Sequence, residues 1–481
     1  MIKRTYAAAQ NNRLTNAWKA GDTSADQEVY NSIVTVRSRA NALYRDSGLV
    51  RASVRAIVEE VLGTGLTLKP MVKRGRKRGS DSRYMDATNE LITQWWREWI
   101  RKENFDVAGF LNLHRGAQQA LANVIVTGEA ITRFIYQPFG NSDVPLALEF
   151  VQPERLDHTK NGQVRGKGNV TMGVEKDDWG RPINYGFTTR HPNPLWTTWQ
   201  QIGPTEWLPA NEILHIYQAD RPGQTRGIGD LCALINQTYH LHEYQSNEVS
   251  RQRAASSLLG FILRDIDYQP PDEEKNNSFD IEPVSYRELE PGERVEMPHI
   301  PPSDPSAPLF LRDQRKNFTS GLGAPYERST GDYGETNFSR AKLALIDREP
   351  HIHNLRAFMI ESYYEPIVRK WLDRAYTAGM NMPGFAESRP RYFDGMSWRA
   401  AGRPLAEPAK ELPALLDGVE RGSHTLQDVL DHVHGDRTVE EQFDMRQEEI
   451  KMAAKHGLNF TPASEPTYNE PLTTDSEEDG N

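Results

Sequence analysis

The sequence predicts an α+β fold, and three observations lead to it. Apolar residues recur at helical spacing in several segments, short strand-like runs gather between residues 130 and 216, and strands and helices do not alternate regularly. The chain has 481 residues, of which 37% are hydrophobic and 26% charged, so it is polar but long enough to bury a sizeable core. No run approaches the roughly 18 consecutive apolar residues of a transmembrane helix. We therefore expect a protein with no membrane partner.

In the first half of the chain, apolar spacing predicts helices over residues 50–66, 85–102 and 110–126. The second of these carries one apolar face, made of Leu91, Ile92, Trp95, Trp96, Trp99 and Ile100. Residues 130–136 and 146–151 read as strands, and a Gly- and Pro-rich stretch with short strand-like pieces follows up to residue 216. This half is therefore predicted to combine packed helices with antiparallel sheet.

The second half is predicted to be mainly helical. A long helix over residues 229–256 has an apolar stripe at Leu231, Leu234, Ile235, Tyr239 and Leu241 that then fades. One copy of the chain would not bury such a helix fully, so it either crosses solvent or packs against copies of itself. A small β-rich insert over 259–299 and a second helix from Leu309 to about residue 322 follow.

After the polar loop at 331–337, a helical pattern runs from 339 to 378. We expect Pro350 and Pro366 to kink or break it. Residues 405–456 are predicted to be helical throughout.

Charge is unevenly distributed along the chain. The net charge is −10, and residues 459–481 contain six acids but no Lys or Arg. This tail is predicted to be disordered and dispensable for folding. The remainder is nearly balanced, which argues against a tight, non-specific grip on duplex DNA but not against a protein that surrounds DNA.

The cysteine count and the N-terminus bear on the cellular compartment. Cys232 is the single cysteine, which excludes an intramolecular disulfide framework and a multi-cysteine zinc site. The first six residues contain no apolar signal-peptide core, so we expect synthesis in a reducing, intracellular compartment.

Motifs for catalysis are weak. His432, His434 and Asp436 match half of a metallohydrolase motif, but Arg437 stands where a further histidine is needed. The favoured interpretation is a helix terminus with histidines placed well against the helix dipole. No phosphate-binding P-loop and no nucleophile elbow is present. We predict no enzyme activity, no cofactor and no metal, and we keep a metal-dependent nucleic-acid hydrolase as an alternative.

A series of short motifs, each weak alone, follows a specific order and spacing. They lie at residues 128–129, 151–156, 215–217, 220–227, 321–323, 326–327, 333, 339–341, 398, 402–403, 410–411, 422, 425 and 435–436. In this order they resemble the lambda-type family of bacteriophage portal proteins, over roughly residues 35–458. The run at 220–227 is the most specific of them.

The resemblance implies a portal fold with named parts. Residues 1–227 resemble the N-terminal wing, 228–257 a stem helix, 258–305 the clip and 306–325 the second stem helix. Residues 326–400 resemble the tunnel loop with the rest of the wing, 401–458 a helical crown, and 459–481 stay a disordered acidic tail.

The resemblance also implies function, partners and location. It implies a ring of twelve copies at one capsid vertex, through which double-stranded DNA passes without sequence-specific contacts during packaging and ejection. Its other implied partners are the terminase large subunit, the major capsid protein and head-completion or adaptor proteins. The location is the virion, after assembly in the bacterial cytoplasm. A capsid adaptor or scaffold protein that forms no ring stays open.

The candidate DNA-channel residues form the polar loop in the implied tunnel. They are Asp332, Tyr333, Gly334, Glu335, Thr336 and Asn337. The loop offers acids and small polar groups without Lys or Arg, so it could approach DNA phosphates without holding them.

Overall fold

The computed structural model describes most of the chain, in two compact units, residues 1–398 and 399–481. The described residues are 21–73, 85–163, 168–189, 204–256, 261–264, 293–296, 306–334, 337–400, 402, 407–433 and 439–458. Several residues of interest lie outside these ranges, namely Glu335, Thr336, His434, Asp436 and the acidic tail at 459–481.

The first unit mixes helices with short strands. Its described α-helices are α1 (Ala25–Asp46), α2 (Gly48–Leu62), α3 (Asp86–Trp99), α4 (Lys102–Phe105), α5 (Leu113–Thr127), α6 (Ile235–Ser256), α7 (Ala307–Leu322), α8 (Tyr326–Thr330), α9 (Phe338–Met359), α10 (Glu365–Thr377) and α11 (Arg389–Phe393). Its described strands are β1 (Thr67–Pro70), β2 (Glu129–Ile135), β3 (Ala147–Val151), β4 (Gly162–Gln163), β5 (Asn169–Thr171), β6 (Val174–Lys176), β7 (Pro182–Phe187), β8 (Glu206–Pro209), β9 (Ile213–Tyr217), β10 (Phe261–Arg264) and β11 (Glu293–Glu296), with β12 (Met396–Arg399) at its end. The predicted mixture of helix and sheet is confirmed.

Two antiparallel sheets dominate the strand content. One has the order β3-β2-β9, and Ile131 of β2 pairs with Val151 on one side and His215 on the other. The other is a five-stranded meander, β4 to β8 in sequence order. Because β2 is the central strand of its sheet, residues at its start are covered from both sides. Two further strand pairs, β10 with β11 and β1 with β12, lie apart from these sheets.

A cluster of tryptophans anchors the helices of the first unit. Trp96 and Trp99 of α3 are buried, as their spacing predicted, and the Trp96 ring lies edge-on to Trp371 of α10 at 5.0 Å between centroids. Trp99 Nε1–H donates to the carbonyl oxygen of Leu146 at 2.7 Å. The buried indole N–H therefore has an acceptor, which ties α3 to the segment before β3.

Several helix boundaries differ from the predictions. The helix predicted from residue 110 begins at Leu113, because the Asn112 side chain accepts a hydrogen bond from the N–H of Arg115 and caps it. The helix predicted from 229 begins at Ile235, after a 3-10 segment over Asp230–Leu234. Tyr239, expected on its apolar stripe, is 53% exposed. These local choices depend on caps and neighbours that apolar spacing does not encode.

The pattern over 339–378 forms two helices, but neither proline separates them. A π-helical turn, Ile360–Tyr364, joins α9 to α10. Pro350 lies inside α9 on its exposed face, where solvent can satisfy the carbonyl that proline leaves unpaired. Pro366 lies in the first turn of α10, where proline is tolerated. The helix is therefore not broken at Pro350, a kink there stays a prediction, and the interruption at Ile360–Tyr364 ends two residues before Pro366.

The second unit is helical in its described part. It contains α12 (Pro408–Glu420), α13 (Leu426–Val433) and α14 (Val439–Lys455), within the region that the sequence predicts to be helical. Its buried apolar residues are few: Val429, Leu430 and Ala453. Arg399 Nη1 and Asp431 Oδ1 form an ion pair at 2.8 Å.

Candidate DNA-channel loop and the buried charge cluster

The candidate loop lies between α8 and α9, and both of its ends are fixed. Gly331 follows α8 with φ of +71°, a conformation that favours glycine, and its N–H donates to the Glu327 carbonyl oxygen at 2.8 Å. At the other end, Asn337 Oδ1 accepts from the N–H of Arg340 at 2.9 Å and caps α9. The loop therefore begins and ends at fixed points on two helices.

Asp332 organises the first half of this loop. The Tyr326 hydroxyl donates to Asp332 Oδ2 at 2.8 Å, and the N–H of Gly334 donates to Oδ1 at 3.2 Å. The hydrogen bond from Tyr326 lowers the pKa of Asp332 most, and that from Gly334 adds to it. The carboxylate thus stays charged at neutral pH while it shapes the turn.

Helix α7 brings positive charge to the loop. Arg312 and Lys316 both favour the ionised form of Asp332, and Lys316 Nζ lies 5.6 Å from the centre of the Tyr326 ring. The loop itself contains no base, as the sequence shows, but sequence reasoning missed these two cations because they precede Asp332 by 16 residues or more. The surface near Asp332 is therefore mixed in charge.

The structure places four of the six candidate residues in this loop. Tyr333 is 62% exposed, and the position of Gly334 is also exposed. Glu335 and Thr336 lie outside the described residues. The side chain with the largest contact surface that the loop offers in its described part is therefore Tyr333.

The weak metal motif is only partly described. His432 lies in the last turn of α13, whereas His434 and Asp436 are outside the described residues. Within the described ranges, no three His, Cys, Asp or Glu side chains are arranged to hold a metal ion. None of the helices in the described part of the chain combines the length and the apolar character that a membrane span requires.

A second constellation, which sequence reasoning did not single out as a site, surrounds Glu129 at the start of β2. Its carboxylate is fully buried and accepts from Arg226 Nε–H at 3.0 Å and 2.9 Å, and again from Arg226 Nη2. Arg37 Nη2 donates to Oε1 at 2.6 Å, and His215 Nε2 lies 2.9 Å from Oε2. One carboxylate thus joins α1, β2, β9 and the run at 220–227.

The remaining donors of Arg226 also have acceptors. Nη1 donates to the carbonyl oxygens of Leu156 at 3.3 Å and Met172 at 3.1 Å, and Nη2 donates to that of Pro153 at 3.1 Å. With the bonds to Glu129, all the guanidinium N–H groups of this buried side chain are used. The cluster therefore fixes the turn at 151–156 against the sheet.

The titration of the cluster follows from its charges. Burial alone would raise the pKa of Glu129, but Arg226 and Arg37 outweigh it and hold the pKa well below the ordinary value. Burial lowers the pKa of His215, and the two arginines oppose its protonation further, against the attraction of Glu129. His215 is also packed beside Tyr217 and Tyr185, at 4.5 Å and 5.6 Å between ring centroids. It is therefore neutral at neutral pH, and its Nε2–H donates to Glu129.

Close backbone contacts surround the cluster. A Cβ atom added to Gly227 would lie 1.9 Å from the carbonyl oxygen of Gly128, and one added to Gly128 would lie 2.5 Å from the backbone of Gly227. Thr225 is fixed to α1 as well, because its N–H and hydroxyl both donate to Asp26, at 2.7 Å and 2.6 Å. Four of the motifs therefore meet at this buried cluster, namely those at 128–129, 151–156, 215–217 and 220–227. Their role there is to hold the fold together.

Comparisons with known proteins agree with this order of motifs. A family model of phage portal proteins, lambda family, matches residues 11–356. The chain is 25% identical over 448 residues to the "Probable portal protein" of Halomonas phage phiHAP-1, which covers 89% of this chain and 83% of that protein.

Solved structures that match this chain include chains from gene transfer agent (GTA) particles. A chain from the virion of a native GTA particle is 12% identical with a TM-score of 0.49, covering 88% of this chain and 98% of that one. A chain from the neck of an empty GTA particle, computed with C6 symmetry, is 13% identical with a TM-score of 0.46, covering 82% and 94%. A third, from the neck of a native particle computed with C12 symmetry, is 14% identical with a TM-score of 0.44 and the same coverage.

A family match over most of the chain defines the class as a structural protein of phage particles. The chain belongs to the lambda family of phage portal proteins, and its role is that of a portal protein.

Proposed function

We propose that this portal protein forms a closed ring of twelve copies at one capsid vertex, through which double-stranded DNA enters during packaging and leaves during ejection. Besides family membership, the observation that supports this proposal is the exposed apolar surface of helices α6 and α7. These helices contact each other through Tyr244 and Phe310, at 5.4 Å between ring centroids, yet Tyr239, Val249 and Leu309 are each more than half exposed. Such helices gain their second packing surface from neighbouring copies.

The parts of the ring follow the order of the chain. We assign residues 1–227 and 326–400 to the wing with the tunnel loop, 228–257 and 306–325 to the stem, 258–305 to the clip and 401–458 to the crown. In this assignment the clip binds the terminase large subunit and later the head-completion or adaptor proteins, and the ring contacts the major capsid protein. In this proposal the ring is a channel for DNA and has no enzymatic activity of its own.

Native mass spectrometry of the purified chain tests the ring. We expect one closed assembly of about twelve copies. A count of eleven or thirteen would still support a ring, whereas only monomers or dimers at micromolar concentration across several salt conditions would support a capsid adaptor instead. Metal analysis of the same sample tests the alternative hydrolase, which requires stoichiometric zinc.

The loop at 331–337 is proposed to face the DNA. Its described part contains the acid Asp332 and the exposed Tyr333, and the sequence places a second acid, Glu335, in the same loop. The double variant Asp332→Lys with Glu335→Lys should form normal rings but package about tenfold less DNA per capsid, because lysines repeated around a ring attract phosphates. Rings are checked by microscopy, and packaged DNA is measured per capsid.

Two controls separate charge from structure. Asp332→Asn with Glu335→Gln removes the negative charges without adding positive ones and should stay close to wild type. Glu387→Lys with Asp394→Lys makes the same charge change at exposed positions near α11 and should package normally. Normal packaging and ejection by the loop variant would mean that the loop does not face DNA.

A further inference from the structure

Helix α9 has apolar residues on two opposite sides. Its buried side carries Ile352, Leu355 and Met359. On the opposite side, Leu343 is 67% exposed and Ile346 is 58% exposed, and Pro350 continues the same face. We call Leu343, Ile346 and Pro350 the α9 ridge. A helix that is apolar on both sides is normally covered on both sides, and within the described residues the chain covers only one.

A groove of matching character lies beside the other half of α9. Its cavity, of about 800 Å³, is formed by the 3-10 segment before α6, the end of α7 and the second half of α9. Part of the cavity wall consists of apolar side chains, those of Leu322 and Leu355. The cavity is also lined by small residues, whose side chains leave its space free: Gly229, Ala233, Ser320, Gly321 and Gly323. We call this cavity the α7–α9 groove. It is large enough to take several aliphatic side chains.

The α7–α9 groove and the α9 ridge also carry opposite charges. Asp220 and Asp230 line the groove, and neither carboxylate has an ion-pair partner among the described residues. Burial, and after it the nearby charge of Asp220, raise the pKa of Asp230, and His351, which also lines the groove, opposes them in part. A cation from a neighbouring copy would favour the ionised form of Asp230 further. The α9 ridge is flanked on the helix by two bases, Arg340 and Lys342.

We propose that the α9 ridge of one copy inserts into the α7–α9 groove of the next copy around the ring. The inference rests on the ring proposed above and identifies its contact surface. A cyclic ring requires two different, mutually complementary surfaces on each copy, and the ridge and the groove are such a pair. The apolar side chains fill the cavity, while Arg340 and Lys342 approach Asp220 and Asp230.

The single cysteine of the chain provides the test, because Cys232 lines the groove. Ile346→Cys and, separately, Leu343→Cys are introduced, rings are confirmed by native mass spectrometry, and the rings are oxidised with copper phenanthroline. We expect a ladder of disulfide-linked multimers on a denaturing gel, and reductant should collapse it to the monomer.

Two controls accompany the ladder. Adding Cys232→Ala to either variant should abolish it. Val34→Cys, at an exposed apolar position of α1, should give no ladder although Cys232 is present. Intact rings without a ladder at either ridge position would overturn this contact and leave the ring itself in place. A disulfide confined to the monomer would overturn it too, whereas a failure of the wild-type chain to form any ring would refute the proposed function.

An assembly measurement gives an independent result. Ile346→Asp should retain the far-UV circular dichroism of the wild type but raise the concentration for half-assembly about tenfold or more, since a charge would enter an apolar contact. Ile346→Leu should assemble normally, as should the matched control Val34→Asp. Wild-type assembly by Ile346→Asp would contradict the proposal.

Discussion

The surroundings of Glu129 and the surface of α9 differ in which side chains are buried: charged groups are buried around Glu129, whereas apolar groups are exposed on α9. Around Glu129, a carboxylate, two guanidinium groups and an imidazole are buried, and the donors of Arg226 all have acceptors within the chain. On α9, large aliphatic side chains lie in solvent. From this contrast we infer that the charges of the first region are paired within one copy, whereas the α9 ridge is proposed to be covered by a neighbouring copy. Substitutions should therefore impair folding in the first region and assembly in the second.

The largest effect is expected at the buried ion pair. Glu129→Leu leaves two buried guanidinium groups, those of Arg37 and Arg226, without their carboxylate, and Arg226→Met leaves Glu129 with Arg37 as its one arginine partner. Each variant should lower the free energy of unfolding by about 3–5 kcal/mol. Urea unfolding followed by circular dichroism measures it. Glu365→Gln, which breaks the exposed pair with Arg369, is the control and should leave the midpoint unchanged. Equal midpoints for all of these variants would remove the contrast between the two regions.

A smaller effect is expected where two backbone segments touch. Gly227→Ala places a methyl group against the carbonyl oxygen of Gly128, so the segments must separate, at a cost of about 1–3 kcal/mol. Gly48→Ala, at the start of α2 with no atom within 4 Å of the added methyl group, is the matched control. It should be neutral or stabilising by up to about 1 kcal/mol. Thermal unfolding of both variants compares them, and a tolerated Gly227→Ala would contradict this close packing.

The smallest effect is expected from His215 and depends on pH. Because its folded pKa lies below the ordinary value of 6.5, the unfolded chain takes up a proton that the folded chain does not. Stability should therefore fall as the pH drops below about 6.5, by at most about 1.4 kcal/mol per pH unit. Glu129 acts in a lower window, since its stabilisation is lost only below its ordinary value of 4.5. The two contributions can thus be separated.

His215→Gln should flatten the dependence between pH 6.5 and 5, because glutamine can still donate to Glu129 but does not titrate. Urea midpoints measured across this range show the slope. His353→Gln, at an exposed position on α9, should leave the slope as in the wild type. An unchanged slope in His215→Gln would mean that other groups cause it.

The elements that the sequence predicted well are those with strong apolar periodicity. Ile57 and Val61 of α2, and Trp96 and Trp99 of α3, are buried where their spacing placed them. Apolar periodicity does not predict a helix boundary correctly where a polar contact sets that boundary. The cap at Asn112 sets the start of α5 three residues later than predicted, and α1 was not predicted although Val29, Ile33 and Ala40 form a buried face on it.

The candidate loop was bounded correctly by its glycine and by Asn337, but its role at the DNA stays a prediction. The buried cluster could not be recognised as a site from single motifs, because Arg37 and Glu129 are 92 residues apart and Glu129 and Arg226 are 97 apart. The signal that could have found it was the coincidence of a charged residue with a glycine in two separate motifs, at 128–129 and 226–227.

The π-helical turn at Ile360–Tyr364 has a mechanical consequence. The 22 residues of α9 extend about 33 Å from this turn to the candidate loop. Tyr363 in the turn is buried and its hydroxyl donates to the carbonyl oxygen of Leu113 at 3.1 Å, so this end of the helix is fixed in the core. The helix therefore spans the distance between this fixed point in the core and the candidate loop. A rotation of about 10° there would displace the far end by about 6 Å, which is comparable to one turn of an α-helix.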